Sequence, residues 1–240
     1  MVHLAQGAEG PAALLYDIAI EYQANFSSIS PRRDMNPYPL ITKLARELKR
    51  SIFIIDCEST GFLDPDVAIV ELGYLGVSPS GVVKREATLV NPGCPIPASA
   101  TDVHRITDQM VSGARDYPSL HPWVSTVFEK HVVAGFNSRA FDVGVLQACM
   151  ARYSLPICEP ELQLDVRDIW IEVSGSQRGK LAAVAKAYEV TQGTAHRADG
   201  DAITAAGILE AMLWQHGVER VMAQLVQRAP APADDLVATP

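Results

Sequence analysis

Residues 52–58, Ile52-Phe53-Ile54-Ile55-Asp56-Cys57-Glu58, combine a predicted strand with two neighbouring acids and give the clearest indication of fold in this chain. Its first four residues form a short apolar run rich in β-branched side chains, which is typical of a strand buried on both faces. Alternate residues of an extended chain share a face, so Asp56 and Glu58 should point one way and Cys57 the other. Two carboxylates this close repel each other unless they are protonated or bind a cation. An acidic pair after a strand is equally typical of a solvated turn, so this pair alone does not distinguish a cation-binding site from a turn.

The chain before this strand is predicted to form a helical N-terminal extension over residues 1–50. Apolar residues at helical spacing indicate one helix over residues 11–23 and a second over residues 40–48, with a breaker-rich stretch between them. The extension concentrates basic residues, which fit either a solvated helix face or a contact surface for phosphates. These residues are Arg32, Arg33, Lys43, Arg46, Lys49 and Arg50.

The predicted secondary structure after this strand changes near Asn91. Apolar runs at residues 67–77 and 82–90 are joined by a Ser-Pro-Ser-Gly turn, which predicts an antiparallel meander. Beyond it, strand and helix patterns alternate, which predicts an α/β layer fold. We therefore expect a main domain over residues 51–228 and an untethered, Pro- and Ala-rich tail over residues 229–240. The later strands are expected at residues 131–135 and 162–166, and the helices at residues 124–128, 141–150, 181–188 and 199–215.

Composition limits the possible functions. The formal net charge of −8 argues against a general nucleic-acid coat protein, which would carry a broad basic face. No apolar run approaches the roughly 18 to 20 residues of a membrane helix, so we expect no membrane association. The four cysteines contain no C-x-x-C pair, which favours reduced thiols in a cytoplasmic protein.

Asp142 is the second acidic candidate. It opens a predicted helix, shortly after Asn137 and an apolar stretch. A carboxylate in the first turn also interacts favourably with the helix dipole. By itself, Asp142 therefore fits a helix-start residue better than a metal ligand.

His196 and Asp201 form the third element. Five residues of α-helix turn through roughly 140°, so the two side chains share a face only if His196 lies in the loop before the helix. The spacing does not choose between Asp199 and Asp201 as the inward acid. The small residues Ala202, Ala205 and Ala206 that follow indicate close packing on this face and favour Asp201.

Taken together, these segments resemble the DnaQ-like 3′→5′ exonucleases. This family includes the proofreading epsilon subunit of DNA polymerase III, RNase T and oligoribonuclease. Asp56-Cys57-Glu58-Ser59-Thr60-Gly61 is similar to the family's D-x-E-x-T-G signature, and residues 137–142 resemble its second motif. Residues 196–202 resemble the H-x₄-D motif of the His-containing (DEDDh) branch. The likeness covers roughly residues 52–214.

The resemblance implies a ribonuclease H-like fold: a mixed five-stranded sheet flanked by helices. It implies a two-metal hydrolysis of phosphodiester bonds that releases nucleoside 5′-monophosphates. Carboxylate oxygens favour Mg²⁺ or Mn²⁺ over Zn²⁺. His196 would serve as the general base, because histidine changes its protonation near neutral pH. The ligands of the two Mg²⁺ or Mn²⁺ ions would be Asp56, Glu58, Asp142 and Asp201.

The resemblance also suggests where substrate binds. Thr60, Gly61 and Phe62 match the segment that holds the terminal nucleotide, and Phe62 would stack on the last base or be a partly buried loop aromatic. Asn137 would contact the strand or, as we favour, cap the following helix. Arg105 departs from the family, which usually has glycine there, and this puts substrate contacts inferred for that loop in doubt.

Several questions stay open at this level. The expected partner is a single-stranded 3′ end of DNA or RNA, with a polymerase or other replication protein as a further candidate. A catalytically silent exonuclease-fold binding module, or a polymerase-associated accessory subunit, is the alternative function. The oligomeric state is undetermined by the sequence.

Overall fold

The computed structural model describes residues 36–228, which form a sheet covered by helices on both faces. The helix expected at residues 11–23 and the tail at residues 229–240 lie outside the described residues. The strands, in chain order, are β1 (Ile52–Ser59), β2 (Ile69–Val77), β3 (Val83–Asn91), β4 (Arg115–Asp116), β5 (Val132–Gly135), β6 (Leu162–Asp165) and β7 (Val226–Gln227).

The sheet is mixed, with β1 near its centre, and its order is β4-β3-β2-β1-β5-β6-β7. β1, β2 and β3 form the predicted antiparallel meander, while β5 runs parallel to β1 and β6 runs parallel to β5. The five strands expected from the sequence are all present. The structure adds two edge strands of two residues each, which are too short to give an alternating pattern.

The five helices expected within the described residues are all present, and the structure adds four that were not predicted, at Ala98–His104, Asp108–Val111, Val166–Ser174 and Val218–Met222. The helix expected at residues 124–128 begins earlier than predicted, at Tyr117, because Pro118, Pro122 and the polar residues of its first two turns hide the helical pattern in the sequence. The helices are α1 (Pro39–Leu48), α2 (Ala98–His104), α3 (Asp108–Val111), α4 (Tyr117–Lys130), α5 (Asp142–Arg152), α6 (Val166–Ser174), α7 (Leu181–Ala187), α8 (Ala198–His216) and α9 (Val218–Met222).

Each face of β1 packs into its own hydrophobic core. Ile52 and Ile54 point toward α8, which lies across the sheet together with α1, α6, α7 and α9. Ile55 and Cys57 point to the other face, where α4 and α5 pack. Burial of each such side chain stabilises the fold by roughly 1.5–3 kcal/mol, so the register of this strand is strongly specified.

One partly buried carboxylate links α1 to α8. Glu210 of α8 accepts the backbone N–H groups of Leu40 (2.8 Å) and Ile41 (2.9 Å), which lie in the first turn of α1. Burial raises the pKa of Glu210 to about 7, and the two N–H groups oppose this. α1, which the predicted division assigns to the N-terminal extension, therefore packs into the same core as the sheet; the division itself stays a prediction.

No helix between residues 36 and 228 combines the length and apolar character needed to cross a bilayer.

Candidate active site

Asp56 and Glu58 lie side by side on one face of β1. Cys57 points to the opposite face and is buried in the core there, as the alternation predicted. β1 extends to Ser59, so both acids belong to the strand rather than to a turn after it. Across the β1–β2 ladder, Asp56 is opposite Gly73 and Glu58 is opposite Glu71.

Asp201 joins this pair from α8. Ligand oxygens of Asp56, Glu58 and Asp201 all lie within 4.8 Å of one another, a spacing that suits a bound cation. We call these three residues the acidic cluster. Asp199 does not belong to it, and Ala202, Ala205 and Ala206 are buried against the sheet, as expected for the close-packed face of α8.

Asp142 lies close to the acidic cluster but comes from a different helix, α5. It is the first residue of α5, and its buried carboxylate accepts the backbone N–H of Cys57 at 2.7 Å. That bond attaches the helix start to β1 between the two strand acids. Asp142 therefore lies beside the acidic cluster, where its negative charge raises the pKa of Asp56.

His196 lies in the loop that leads into α8, as the spacing predicted. Its backbone is left-handed, with φ of 58°, and its N–H donates to Asp201 Oδ2 at 3.2 Å. Its side chain is exposed to solvent next to the acidic cluster. Two glycine contacts fix the course of this loop, because a Cβ at Gly193 or Gly200 would lie under 2.5 Å from backbone of the facing segment.

The concentration of acids makes full ionisation costly. Burial raises the pKa of Asp56 well above its usual value, and neighbouring carboxylates, Asp142 first, raise it further. Burial likewise raises the pKa of Glu58 to about 7 and that of Asp142 to about 8. The pKa of Asp201 is raised by burial too, against the opposing effect of His196. Such a group of carboxylates ionises together at neutral pH only if a cation neutralises it.

The loop after β1 presents an exposed aromatic ring. Thr60 closes the loop on Ala68 through two hydrogen bonds, of 2.8 and 3.0 Å. Phe62 is 90% exposed, so its interpretation as a partly buried loop aromatic is wrong. A Cβ at Gly61 would meet no atom within 4 Å, which leaves open space beside the loop.

Asn137 does not cap α5. The N-cap of that helix is Phe141, without a side-chain cap, so the capping role that we favoured for Asn137 is wrong. Asn137 has a left-handed backbone, with φ of 63°, and its N–H donates to Asp165 Oδ1 at 2.9 Å. Asp165 thus shapes the segment that leads to Asp142.

His104 is a supporting residue to which the sequence reasoning gave no role. It is buried, and its Nδ1 accepts the N–H of Ile106 at 3.0 Å, which leaves Nε2 to donate to the carbonyl of Ser59 at 3.3 Å. The ring thereby joins α2 to the end of β1. Arg105, the next residue, has a left-handed backbone with φ of 64°. Glycine adopts this conformation without strain, which explains why glycine is usual at this position in the DnaQ-like family.

Glu71 and Arg197 were also missed. Arg197 pairs with the wholly buried Glu71, whose carboxylate also accepts the N–H of Ala198 at 2.9 Å. A detectable signal was present, because Glu71 is a charged residue inside an otherwise apolar strand pattern.

Comparison with known proteins relates this chain to a family. Residues 53–209 match the RNase_T family model, described as exonuclease. A Mycobacterium tuberculosis protein whose name describes a bifunctional exonuclease/endonuclease is 28% identical over 183 residues, which cover 72% of this chain and 28% of that protein. A PolC-type DNA polymerase III of Ureaplasma parvum is 23% identical over 82% of this chain and 16% of its own length. This chain thus spans less than a third of the length of either relative.

A relative of similar size is an uncharacterized exonuclease of Escherichia phage 186. It is 30% identical over 171 residues, which cover 66% of this chain and 86% of the phage protein. Among solved structures, exonuclease X in complex with 5′ overhanging duplex DNA superposes with a TM-score of 0.55. That match, at 23% identity, covers 69% of this chain and 93% of exonuclease X, and it supports the fold.

Proposed function

The chain belongs to this DnaQ-like exonuclease family, and we propose that it hydrolyses phosphodiester bonds at the 3′ end of a DNA or RNA strand and releases nucleoside 5′-monophosphates. The observation that carries the proposal is the acidic cluster, three carboxylates from β1 and α8 within 4.8 Å of one another. A fourth carboxylate, that of Asp142, adjoins it through the N–H of Cys57.

The donor set fits hard divalent cations. The acidic cluster and the adjoining Asp142 together offer four carboxylates, a donor set that favours Mg²⁺ or Mn²⁺, and two such ions would balance the four negative charges. We propose Asp56, Glu58, Asp142 and Asp201 as the residues that hold them. When bound, such ions lower the pKa of a water molecule and stabilise negative charge on the leaving oxygen.

His196 is the proposed general base. Its side chain is exposed at the edge of the acidic cluster, and its backbone is fixed to Asp201 by the 3.2 Å hydrogen bond. From there it can accept the proton that the attacking water releases. The positive charge that it gains would lie next to carboxylates, which stabilise it.

The loop of Thr60, Gly61 and Phe62 is the proposed site for the terminal nucleotide. An aromatic ring that is 90% exposed offers a stacking surface to a base. The open space beside Gly61 lets a strand approach the backbone. With capping excluded, Asn137 becomes a proposed contact of the strand, because it lies on the segment that leads to Asp142.

A polymerase or other replication protein is the proposed macromolecular partner. In the PolC-type relative, the matching region is a small part of a much longer replication protein. The free thiols of all four cysteines suit the cytoplasm, which we propose as the location.

The first experiment uses 5′-labelled single-stranded DNA and RNA of equal sequence with Mg²⁺ or Mn²⁺, and the same strands blocked by a 3′-phosphate. We expect a ladder that shortens from the 3′ end and is absent for the blocked strand. The ratio of DNA to RNA rates then gives the substrate class. Cleavage of the blocked strand would indicate an endonuclease instead, and no cleavage with either metal would favour the silent binding module.

Asp201→Asn and Asp199→Asn provide the matched pair of variants. Both change one carboxylate to an amide in the first turn of α8, but only Asp201 belongs to the acidic cluster. Asp201→Asn, like Asp56→Ala, should abolish cleavage, while Asp199→Asn should keep most of it. Retention of more than a few per cent activity in Asp201→Asn would contradict the ligand assignment.

A further inference from the structure

Glu71 is a charged residue in a place where charge is costly. It lies within β2 with no exposed surface, and its neighbours Val70 and Leu72 are buried as well. The antiparallel register places it opposite Glu58, on the same face of the sheet as the acidic cluster. A buried carboxylate destabilises a fold by several kcal/mol unless it is paired and hydrogen-bonded. Its partners therefore show what it does.

All the donors that satisfy Glu71 come from the start of α8. Arg197 Nε lies 3.2 Å from Oε1 and 3.1 Å from Oε2, and Arg197 Nη2 forms an ion pair with Oε1. The N–H of Ala198 donates to Oε2 at 2.9 Å. Both oxygens are thus occupied by N–H groups, which leaves Glu71 poorly suited to bind a cation. The same contacts place a negative charge at the N-terminus of a 19-residue helix, where it is favourable.

The residues that Glu71 holds are adjacent to the proposed machinery. Arg197 directly follows His196, and its carbonyl accepts the N–H of Asp201 at 3.0 Å. The start of α8 packs so close to β2 at Gly73 that a Cβ there would overlap the backbone of Ala198, so the strand and the helix have little room to move relative to each other. A shift of the Arg197 backbone would therefore move both His196 and Asp201 relative to β1.

We infer that the Glu71–Arg197 pair is a positioning clamp that fixes the start of α8, and with it Asp201 and His196, against the two acids of β1. The inference rests on the proposed function, because it assigns a supporting role in the same site. Glu71 and Arg197 touch neither the reacting atoms nor the metals; they set the geometry of the groups that do. Loss of such supporting contacts typically lowers metal affinity or activity by roughly 10- to 100-fold.

Glu71→Gln is the first variant, because it keeps the shape of the side chain while it removes the charge. Arg197→Lys is the second, since it keeps the positive charge but loses the two-pronged contact. Glu172→Gln is the control: its partner Arg220 is 3.7 Å away, and both side chains are about half exposed on the surface. The full chain is used throughout, and urea midpoints report folding.

Three quantities should change together in the two clamp variants and stay unchanged in Glu172→Gln. Amide hydrogen exchange in the first turn of α8 should become faster, and the Kd for Mn²⁺, measured by paramagnetic resonance without substrate, should rise about 10-fold. With oligonucleotide substrate, kcat should fall between about 10- and 100-fold while KM stays within about threefold. The double variant should be little worse than the worse single variant, because the two residues act as one unit.

The outcomes separate this inference from the proposed function. A folded Glu71→Gln protein with unchanged exchange in α8 and unchanged Mn²⁺ affinity would overturn the clamp. If Glu71→Gln does not fold, the same two measurements on Arg197→Lys decide, because its side chain is 38% exposed and the change is milder. A wild-type chain without nuclease activity would remove the proposed function, whereas hydrogen exchange would still decide the clamp.

Discussion

Replacing Gly73 with alanine should push α8 away from the sheet and disable the proposed site while most of the fold persists. A Cβ at this position would lie 2.2 Å from the carbonyl carbon of Ala198 and 2.4 Å from the amide nitrogen of Asp199. Both are backbone atoms, so no change of rotamer relieves the overlap. Ordinary van der Waals contact begins near 3.4 Å, which means that the two backbones must separate by about 1.2 Å.

The size of the effect follows from where that movement occurs. Asp201 lies in the same helical turn, so it should move with Ala198, away from acids whose ligand oxygens now lie within 4.8 Å of its own. A misplacement of about 1 Å in a catalytic constellation costs roughly 100-fold in rate. The overpacking itself should destabilise the fold by about 1–3 kcal/mol. A domain that is stable by roughly 5–15 kcal/mol stays mostly folded after such a loss, so the fall in cleavage rate should reflect the displaced site rather than unfolding.

Gly76→Ala is the matched control on the same strand. A Cβ there would lie 3.2 Å from the ring of Phe53, and that side chain can yield by a few tenths of an ångström. We expect it to keep at least a third of the wild-type cleavage rate. Rates on a single-stranded oligonucleotide and urea unfolding midpoints would be measured for both variants. The reasoning is refuted if Gly73→Ala keeps more than a tenth of the rate, or if both variants lose activity equally.

Three further predictions follow from the site and the core. His196→Ala should slow cleavage by roughly 10²- to 10⁴-fold with little change in the urea midpoint, and an unchanged rate would remove it as the general base. In metal-free buffer, stability should fall between about pH 5 and pH 8, because burial raises the pKa of Glu58 to about 7 and that of Asp142 to about 8. The unfolded chain releases these protons at lower pH than the folded chain, so a rise in pH favours unfolding. Mn²⁺ added at pH 8 should restore the melting temperature. A melting temperature that stays constant or rises between about pH 5 and pH 8 would contradict this prediction. Tyr117→Phe should raise the free energy of unfolding by about 1 kcal/mol, because the buried Tyr117 hydroxyl has no hydrogen-bond partner among residues 36–228. A destabilised Tyr117→Phe in urea unfolding would mean that this hydroxyl is satisfied.

The sequence predicts the site best where its geometry is local. Alternation along β1 places Asp56 and Glu58 on one face, because the period of an extended chain allows no other arrangement. The helix start similarly places His196 in the loop and Asp201 on α8. Each prediction depends only on residues within one element, so the three-dimensional fold adds little to it.

Contacts between secondary-structure elements could not be predicted from the sequence. The register that sets Glu71 opposite Glu58, and the approach of Arg197 to it, depend on how β2 and α8 pack, which no local pattern specifies. The tie from Glu210 to α1 is likewise a contact between residues about 170 apart in the chain. Asn137 shows the opposite error: a local rule for helix caps was applied one turn too early, because α5 begins only at Asp142.

The five acids in and around the proposed site differ in how the protein satisfies them, and that difference separates their roles. Glu71 receives a guanidinium and a backbone N–H, so its charge is neutralised within the protein. Asp142 receives the N–H of Cys57, and Asp201 receives that of His196, which leaves each with lone pairs to share. Asp56 and Glu58 accept no hydrogen bond from the described residues, and burial raises the pKa of both. Asp56 and Glu58, which accept no N–H, and Asp142 and Asp201, which keep free lone pairs, are therefore the proposed metal ligands, whereas Glu71, whose two oxygens are both occupied by N–H donors, is assigned to the clamp.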